Sequence, residues 1–135
     1  MNNLDIIITQ WALDSYLALR GQKIFSSNEY WTNLRPDILL LKNYPQDTKF
    51  QQSKFWSPAQ DINSKTIHDG FKMKWHQVGT GLVQLRLPIG LVNDANLCEA
   101  YVKRNKNWEI RQLAKFKTHL QLIKQGRYKI RGRLP

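Results

Sequence analysis

Basic and apolar side chains alternate in the stretch GFKMKWHQVGTG, residues 70–81. Lys72, Lys74 and His76 occupy every second position, with aromatic or aliphatic residues between them. Alternate side chains of a β-strand point to opposite faces, so the stretch predicts a strand with one basic and one apolar face. Aligned cations repel one another, and a phosphate-containing ligand would offset that repulsion. A solvated row of basic residues without any ligand is the competing interpretation.

These cations have the chemistry needed to cleave RNA through attack of its own 2′-hydroxyl. That reaction needs a base for the hydroxyl proton, cations for the charge that develops on the phosphate, and an acid for the leaving oxygen. A lysine surrounded by other cations has a lowered pKa, which makes it a feasible base. The candidate catalytic residues, drawn from three successive predicted strands, are Lys72, Lys74, His76, Arg86 and Arg104. The site requires that Arg86 points to the same face as Lys72 and Lys74.

Positive charge is concentrated in the last quarter of the chain. The net charge is +11, and residues 103–135 hold eleven Lys and Arg against Glu109 alone, or +10. Such a block indicates a polyanionic partner: a nucleic acid, an acidic protein or an anionic membrane surface. The candidate RNA-binding residues are Gln84, Lys103, Lys106, Arg111, Lys115, Arg127, Tyr128, Lys129, Arg131 and Arg133.

Several classes of protein are disfavoured by what the sequence lacks. It has no apolar run of about 18 residues, so no membrane span is predicted, and its first residues do not form a secretory signal. Cys98 is the only cysteine and the three histidines are scattered, so neither a disulfide framework nor a metal site is expected. No glycine-rich phosphate-binding motif is present, and no cofactor is predicted. A cytoplasmic protein is the simplest interpretation.

The N-terminal half predicts one strand and two helices. Residues 4–9 form a short Ile-rich strand, and residues 10–20 carry apolar side chains at helical spacing. A second helix is predicted to begin with a capping box at Ser26 and to be kinked or split at Pro36. Residues 43–69 have no regular pattern and are predicted as a long loop, either functional or a plain insertion.

The C-terminal half predicts a meander, a helix and a tail. Three antiparallel strands are predicted over residues 71–77, 82–89 and 97–104. A helix over residues 107–125 follows, and residues 126–135 form a basic tail that is mobile in the free protein. The whole chain, residues 1–135, is therefore predicted to be a single α+β domain. Its small antiparallel sheet would carry two N-terminal helices and one C-terminal helix on one face.

Three short motifs, KMKWH, GLVQLRL and AYVKRNKNWE, together resemble the RelE/HigB-type toxins of bacterial toxin–antitoxin systems. In that family a basic K-x-K strand precedes an arginine-bearing strand, and a third strand ends in a K-R or K-K pair. The resemblance covers residues 70–124 and, more loosely, residues 4–18. It implies a RelE/ParE-like fold and a metal-independent endoribonuclease that cuts mRNA on the ribosome. It also implies partners: mRNA, ribosomal RNA and a cognate antitoxin, whose acidic segment would match the basic face.

The resemblance also implies roles for individual residues. Lys72 and Lys74 match the strand lysines of the family, which position the RNA or act as base. Arg86 matches the arginine that stabilises the phosphate, and Arg104 matches an arginine that stabilises the phosphate or acts as acid.

The family's catalytic tyrosine or histidine has no matching residue in this chain. Trp108 and Glu109 occupy that region, so His76 and Tyr128 are the candidates to replace it. Two other functions stay open. One is a ParE-like toxin that inhibits DNA gyrase, and the other is a non-enzymatic module that binds nucleic acid through the basic block.

Overall fold

A mixed seven-stranded sheet forms the centre of the α+β fold in the computed structural model, which describes residues 4–135. The strands are β1 (Ile6–Thr9), β2 (Trp56–Gln60), β3 (Thr66–Val78), β4 (Val83–Val92), β5 (Asp94–Leu97), β6 (Tyr101–Val102) and β7 (Ile130–Leu134). Their order is β2-β3-β4-β5-β1-β7, and β6 also pairs with β4. The predicted antiparallel sheet is confirmed in outline, but the sheet is mixed, because β1 lies parallel to β5. A helical crossover joins β1 to the meander, and such connections allow parallel pairing.

Within residues 4–135, helical segments occupy four stretches of the chain. They are α1 (Gln10–Gly21), α2 (Ser27–Glu29), a π-helical turn (Tyr30–Leu34), α3 (Arg35–Leu39), 3₁₀ turns (Leu40–Asn43 and Thr48–Gln51) and α4 (Lys106–Lys124). The predicted capping box is present, because the Ser26 hydroxyl accepts from the Glu29 amide and the Glu29 carboxylate accepts from the Ser26 amide. The second predicted helix is split as expected, with Pro36 in the first turn of α3.

The helices cover both faces of the sheet, although the sequence predicted one. Residues of α1 and α3 pack on the face that carries Met73, whereas α4 packs on the opposite face. A Cβ atom at Gly90 would come within 2.6 Å of Leu120, so this glycine allows α4 to lie close to β4. The prediction failed because helical periodicity identifies an apolar stripe but not the sheet face that the stripe meets.

The segment 43–69 is more regular than the predicted loop, because it contains β2. This strand pairs antiparallel with β3 at one edge of the sheet. The Trp56 ring stacks on Phe71 with 5.0 Å between centroids. The strand escaped prediction because it is five residues long and includes Pro58, which an edge strand tolerates.

The tail at 126–135 is also more ordered than predicted, because it contains β7. This strand pairs antiparallel with β1 at the other edge of the sheet. The Gln10 amide donates to the Lys129 carbonyl at 3.0 Å, and the Arg133 guanidinium lies 3.4 Å from the Asp5 carboxylate. Mobility was predicted from the charge of the tail. Composition does not show that the tail pairs with β1, which lies more than 100 residues earlier in the chain.

Among residues 4–135, none of the helices combines the length and the apolar character that a membrane span requires.

Candidate functional site

The register of β3 and β4 brings three of the predicted cations together on one face of the sheet. Lys74 lies directly opposite Arg86 in the antiparallel ladder, and Arg86 in turn lies opposite Tyr101 of β6. Directly opposed residues point to the same face, so Arg86 shares the face of Lys72 and Lys74. This is the α4 side of the sheet, because the Lys72 ammonium approaches Glu109 of α4. The candidate site required Arg86 to share the face of Lys72 and Lys74, and the structure meets that requirement.

The first turn of α4 places a carboxylate among these cations. The Asn105 side chain caps the helix by accepting from the Trp108 amide at 2.8 Å, and Glu109 follows in the same turn. One oxygen of Glu109 accepts from the Tyr101 hydroxyl at 2.9 Å. The other lies 3.8 Å from the Lys72 ammonium. The carboxylate is therefore held between a buried tyrosine and a lysine.

Arg86 is buried, with 3% of its surface exposed. Its guanidinium donates to the Gln84 side-chain oxygen at 2.8 Å and to the Leu85 carbonyl at 3.3 Å. A buried charge needs such partners, and these bonds hold the guanidinium in a fixed orientation. Gln84, predicted to contact RNA, thus orients Arg86.

We call Lys72, Lys74, Arg86 and Lys103, together with Glu109 and Tyr101, the basic cluster. Lys103 belongs to it because its amide donates to the Gln84 carbonyl at 2.8 Å, next to Arg86 on β4. Four cations outnumber the Glu109 carboxylate, so the cluster as a whole attracts anions.

The pKa values of Lys72 and Lys74 are both lowered. Burial lowers the pKa of Lys72 below its usual value of 10.5, and nearby Arg86 and Lys103 lower it further while Glu109 opposes the shift. Burial also lowers the pKa of Lys74, with additional repulsion from Lys72 and Arg86. A lysine with a lowered pKa is a stronger acid, so each ammonium gives up its proton more readily than an exposed one.

The pKa of Tyr101 is shifted in the opposite direction. Burial, followed by the Glu109 charge, raises the pKa of its hydroxyl far above the usual value of 10.0. The hydroxyl therefore stays protonated and donates to Glu109 at neutral pH. This bond makes Tyr101 a positioning residue for the carboxylate.

The arrangement contains groups of the kinds that can cleave a phosphodiester without a metal. A carboxylate such as Glu109 can accept a proton, cations can stabilise negative charge, and a lysine ammonium can donate a proton to a leaving oxygen. Within residues 4–135, no three His, Cys, Asp or Glu side chains are grouped as metal ligands would be.

Two predicted catalytic residues lie apart from this cluster. The His76 Nε2–H donates to the Lys54 carbonyl, so the ring points towards the segment before β2. The Arg104 guanidinium lies 4.5 Å from the centre of the Trp108 ring at the surface. The Lys74 ammonium donates to the neighbouring Ser53 carbonyl, but Lys74 also lies opposite Arg86, whereas His76 has no paired residue on β4 because the ladder shifts register after Trp75.

Gln84 and Lys103 lie at the basic cluster, and the other predicted RNA-binding residues lie either on α4 or on and near β7. Lys106 and Arg111 lie near the N-terminal end of α4, and the Arg111 guanidinium also lies over Trp108. Lys115 lies farther along α4, paired with Glu99 at 2.6 Å. The others are on or near β7, three strand spacings from β4 or roughly 14 Å. These are Arg127, Tyr128, Lys129, Arg131 and Arg133.

Sequence reasoning did not identify Glu109 and Tyr101 as site residues. Two signals were available. Glu109 is the single acidic residue in the block 103–135. Tyr101 lies two residues before Lys103 on the third predicted strand, so the two share a face. Neither signal shows that the first turn of α4 lies over β3 and β4, so the site could not be completed from spacing.

Comparison of the chain with protein-family models, curated proteins and solved structures finds no match.

Proposed function

We propose that the protein is the toxin of a type II toxin–antitoxin system and cleaves ribosome-bound mRNA without a metal. The observation that carries the proposal is the convergence of Lys72, Lys74 and Arg86 around Glu109 on one sheet face. The toxin assignment and the use of the ribosome come from the resemblance to RelE/HigB-type toxins. Its RelE/ParE-like fold is part of the same proposal.

The proposed reaction follows from the chemistry of the cluster. Glu109 accepts the proton of the 2′-hydroxyl, and the 2′-oxygen attacks the adjacent phosphorus. Lys72 and Arg86 stabilise the charge on the phosphorane oxygens. Lys74 gives its proton to the 5′-oxygen as the P–O5′ bond breaks. The products carry a 2′,3′-cyclic phosphate and a 5′-hydroxyl.

The remaining basic residues support binding of RNA in this proposal. Arg104, Lys106 and Arg111 would hold the phosphates next to the cluster, and the exposed cations of β7 would contact ribosomal RNA farther away. The antitoxin would present an acidic segment to this surface.

The test is controlled expression in bacteria with growth curves and chemical analysis of the mRNA ends. We expect growth arrest and new ends that carry a 2′,3′-cyclic phosphate and a 5′-hydroxyl. Growth arrest with intact mRNA and inhibited DNA supercoiling would replace this proposal by a gyrase inhibitor. Salt-dependent RNA binding without arrest or cleavage would indicate a non-enzymatic binding module.

A further inference from the structure

An apolar cavity of about 500 Å³ lies between α1 and the helical segment 27–39, on the face of the sheet opposite the basic cluster. Leu85 and Leu87 line this cavity from β4, and they alternate along the strand with Arg86 of the basic cluster. Alternate residues of a strand point to opposite faces of the sheet. The cavity is therefore separate from the proposed cleavage site, and the cleavage reaction makes no use of it.

The apolar cavity is deep and narrow. Its outer end lies beside Trp31, which is 60% exposed, whereas Leu85, Leu87 and Leu97 line its floor and are only 3%, 6% and 6% exposed. An α-helix with its side chains is roughly 10 Å wide and would need a far more open groove to contact that floor. A single alkyl chain is thin enough to reach it. The shape therefore favours a small molecule over a docked helix.

Arg35 gives the apolar cavity one positively charged position. Within residues 4–135 it is the only charged residue that lines the cavity, and its half-buried guanidinium lies 5.0 Å from the centre of the Trp31 ring. No carboxylate in that part of the chain forms an ion pair with Arg35. Burial raises the pKa of Tyr30, nearby Tyr16 raises it further, and the adjacent Arg35 opposes the shift. One cation and two tyrosine hydroxyls in an otherwise apolar lining can hold an anionic headgroup.

From this arrangement we infer that the cavity binds a small amphiphile, a single alkyl chain that ends in a carboxylate. The chain lies over Leu85, Leu87 and Leu97, and the carboxylate accepts hydrogen bonds from the forked guanidinium of Arg35. A volume of about 500 Å³ lies within the range of small-ligand sites. The inference goes beyond the proposed function and does not depend on it, because the two sites lie on opposite faces of the sheet.

The test is calorimetric titration of the purified protein with hexanoate, octanoate and decanoate. Tryptophan fluorescence gives a second readout, because Trp31 and Trp75 line the cavity. We expect one molecule to bind per chain, with an affinity that rises roughly tenfold for each added pair of methylenes. Decanol has the same alkyl chain without the charge, and it should bind about tenfold more weakly than decanoate. Adsorption of anions to the basic surface would not show this dependence on chain length.

Two variants separate the headgroup from the alkyl chain. Arg35→Gln should weaken decanoate binding by about tenfold and leave decanol binding unchanged. Its matched control is Arg104→Gln, which removes an arginine that lies 4.5 Å from the centre of another tryptophan ring, Trp108, away from the cavity. Ala100→Phe should fill the cavity and abolish binding of both probes. Its matched control is Ala114→Phe, which places the same ring at an exposed position on α4.

The inference is overturned if affinity does not rise with chain length, or if Arg35→Gln binds decanoate as tightly as Arg104→Gln does. Binding of an acidic helical peptide at the cavity, without binding of the alkyl carboxylates, would overturn it as well and indicate a protein-docking groove. If Ala100→Phe melts at a lower temperature than Ala114→Phe, the Arg35→Gln comparison decides the outcome. RNA cleavage has no part in these titrations, so their result leaves the proposed nuclease function unaffected.

Discussion

Lys72 and His76 lie four residues apart on the same strand, yet their surroundings differ. Lys72 is half-buried under α4, near Arg86, Lys103 and Glu109. His76 is exposed and hydrogen-bonded to the carbonyl of Lys54. The register of β3 against β4 is regular up to Trp75 and shifts beyond it.

The difference shows what a row of like charges on a strand needs in order to form a cluster with other polar side chains. Alternation along a strand gives each side chain its face, but convergence needs opposing residues from other elements. Lys72 has such residues on β4 and α4, whereas His76 lies beside the irregular end of the ladder. We therefore expect replacements around Lys72 to affect the chemical step and replacements around His76 to affect binding.

The largest effect is expected at Glu109. Glu109→Gln keeps the size of the side chain and its contact with Tyr101 but removes the base, so kcat for RNA cleavage should fall by about 10²–10⁴-fold. Glu99→Gln is the matched control, because Glu99 pairs with Lys115 away from the cluster. Equal activity of both variants in a quantitative RNA cleavage assay would exclude Glu109 as the base.

A smaller loss is expected for Arg86→Lys, which keeps the positive charge and removes the forked guanidinium. The fixed bonds to Gln84 and Leu85 would be lost, and cleavage should fall by roughly 10²-fold. Arg20→Lys removes an arginine that donates to Tyr16 on α1 and serves as the control. Thermal melting must accompany the kinetics, because a loss explained by unfolding would remove the support for a chemical role.

The pH dependence of cleavage should show the lowered pKa values of Lys72 and Lys74. In the proposed reaction their protonated forms stabilise the phosphate and donate the proton, so activity should decline as the pH rises, beginning below the ordinary lysine value of 10.5. In Lys72→Arg only one of the two lysines still titrates, so the decline should be shallower. Identical pH–rate profiles for parent and variant would show that Lys72 does not act as a cation in the reaction.

The smallest effect on the chemical step is expected for His76→Gln. The change in kcat should stay within about threefold, far from the loss expected of a general acid or base. An increase in KM would fit the exposed position of His76. A hundredfold loss of kcat in single-turnover cleavage would instead show that His76 takes part in the chemical step. The proposed difference in role between Lys72 and His76 would then be wrong.

Local pattern was enough to predict much of the fold. The spacing of apolar residues placed α1 and α4 to within one residue at each end, and the alternation on β3 gave the faces of Lys72 and Met73 correctly. The antiparallel hairpin of β3 and β4 was predicted too, although the sequence left open whether Arg86 shares the face of Lys74. These features depend on periodicity and on neighbouring segments, both of which a sequence displays.

The features that were missed depend on contacts between distant segments. β7 forms against β1, and Glu109 reaches the cluster because α4 crosses the sheet at Gly70 and Gly90. The ladder of β3 with β4 shifts register between Trp75 and Val78, next to His76, and no residue pattern in GFKMKWHQVGTG predicts that shift. Such features follow from tertiary packing, which single-sequence periodicity does not record.

The most direct test of the central claim is to map mRNA ends produced by the Lys72→Ala, Lys74→Ala double variant on programmed ribosomes. Lys65→Ala combined with Lys23→Asn is the matched control, because both replaced lysines are exposed and Asn tolerates the positive φ of 58° at position 23. We predict that the control yields the ends seen with the parent protein and that the double variant yields none above background. Equal cleavage at the same positions by both variants would contradict the assignment of the basic cluster as the cleavage site.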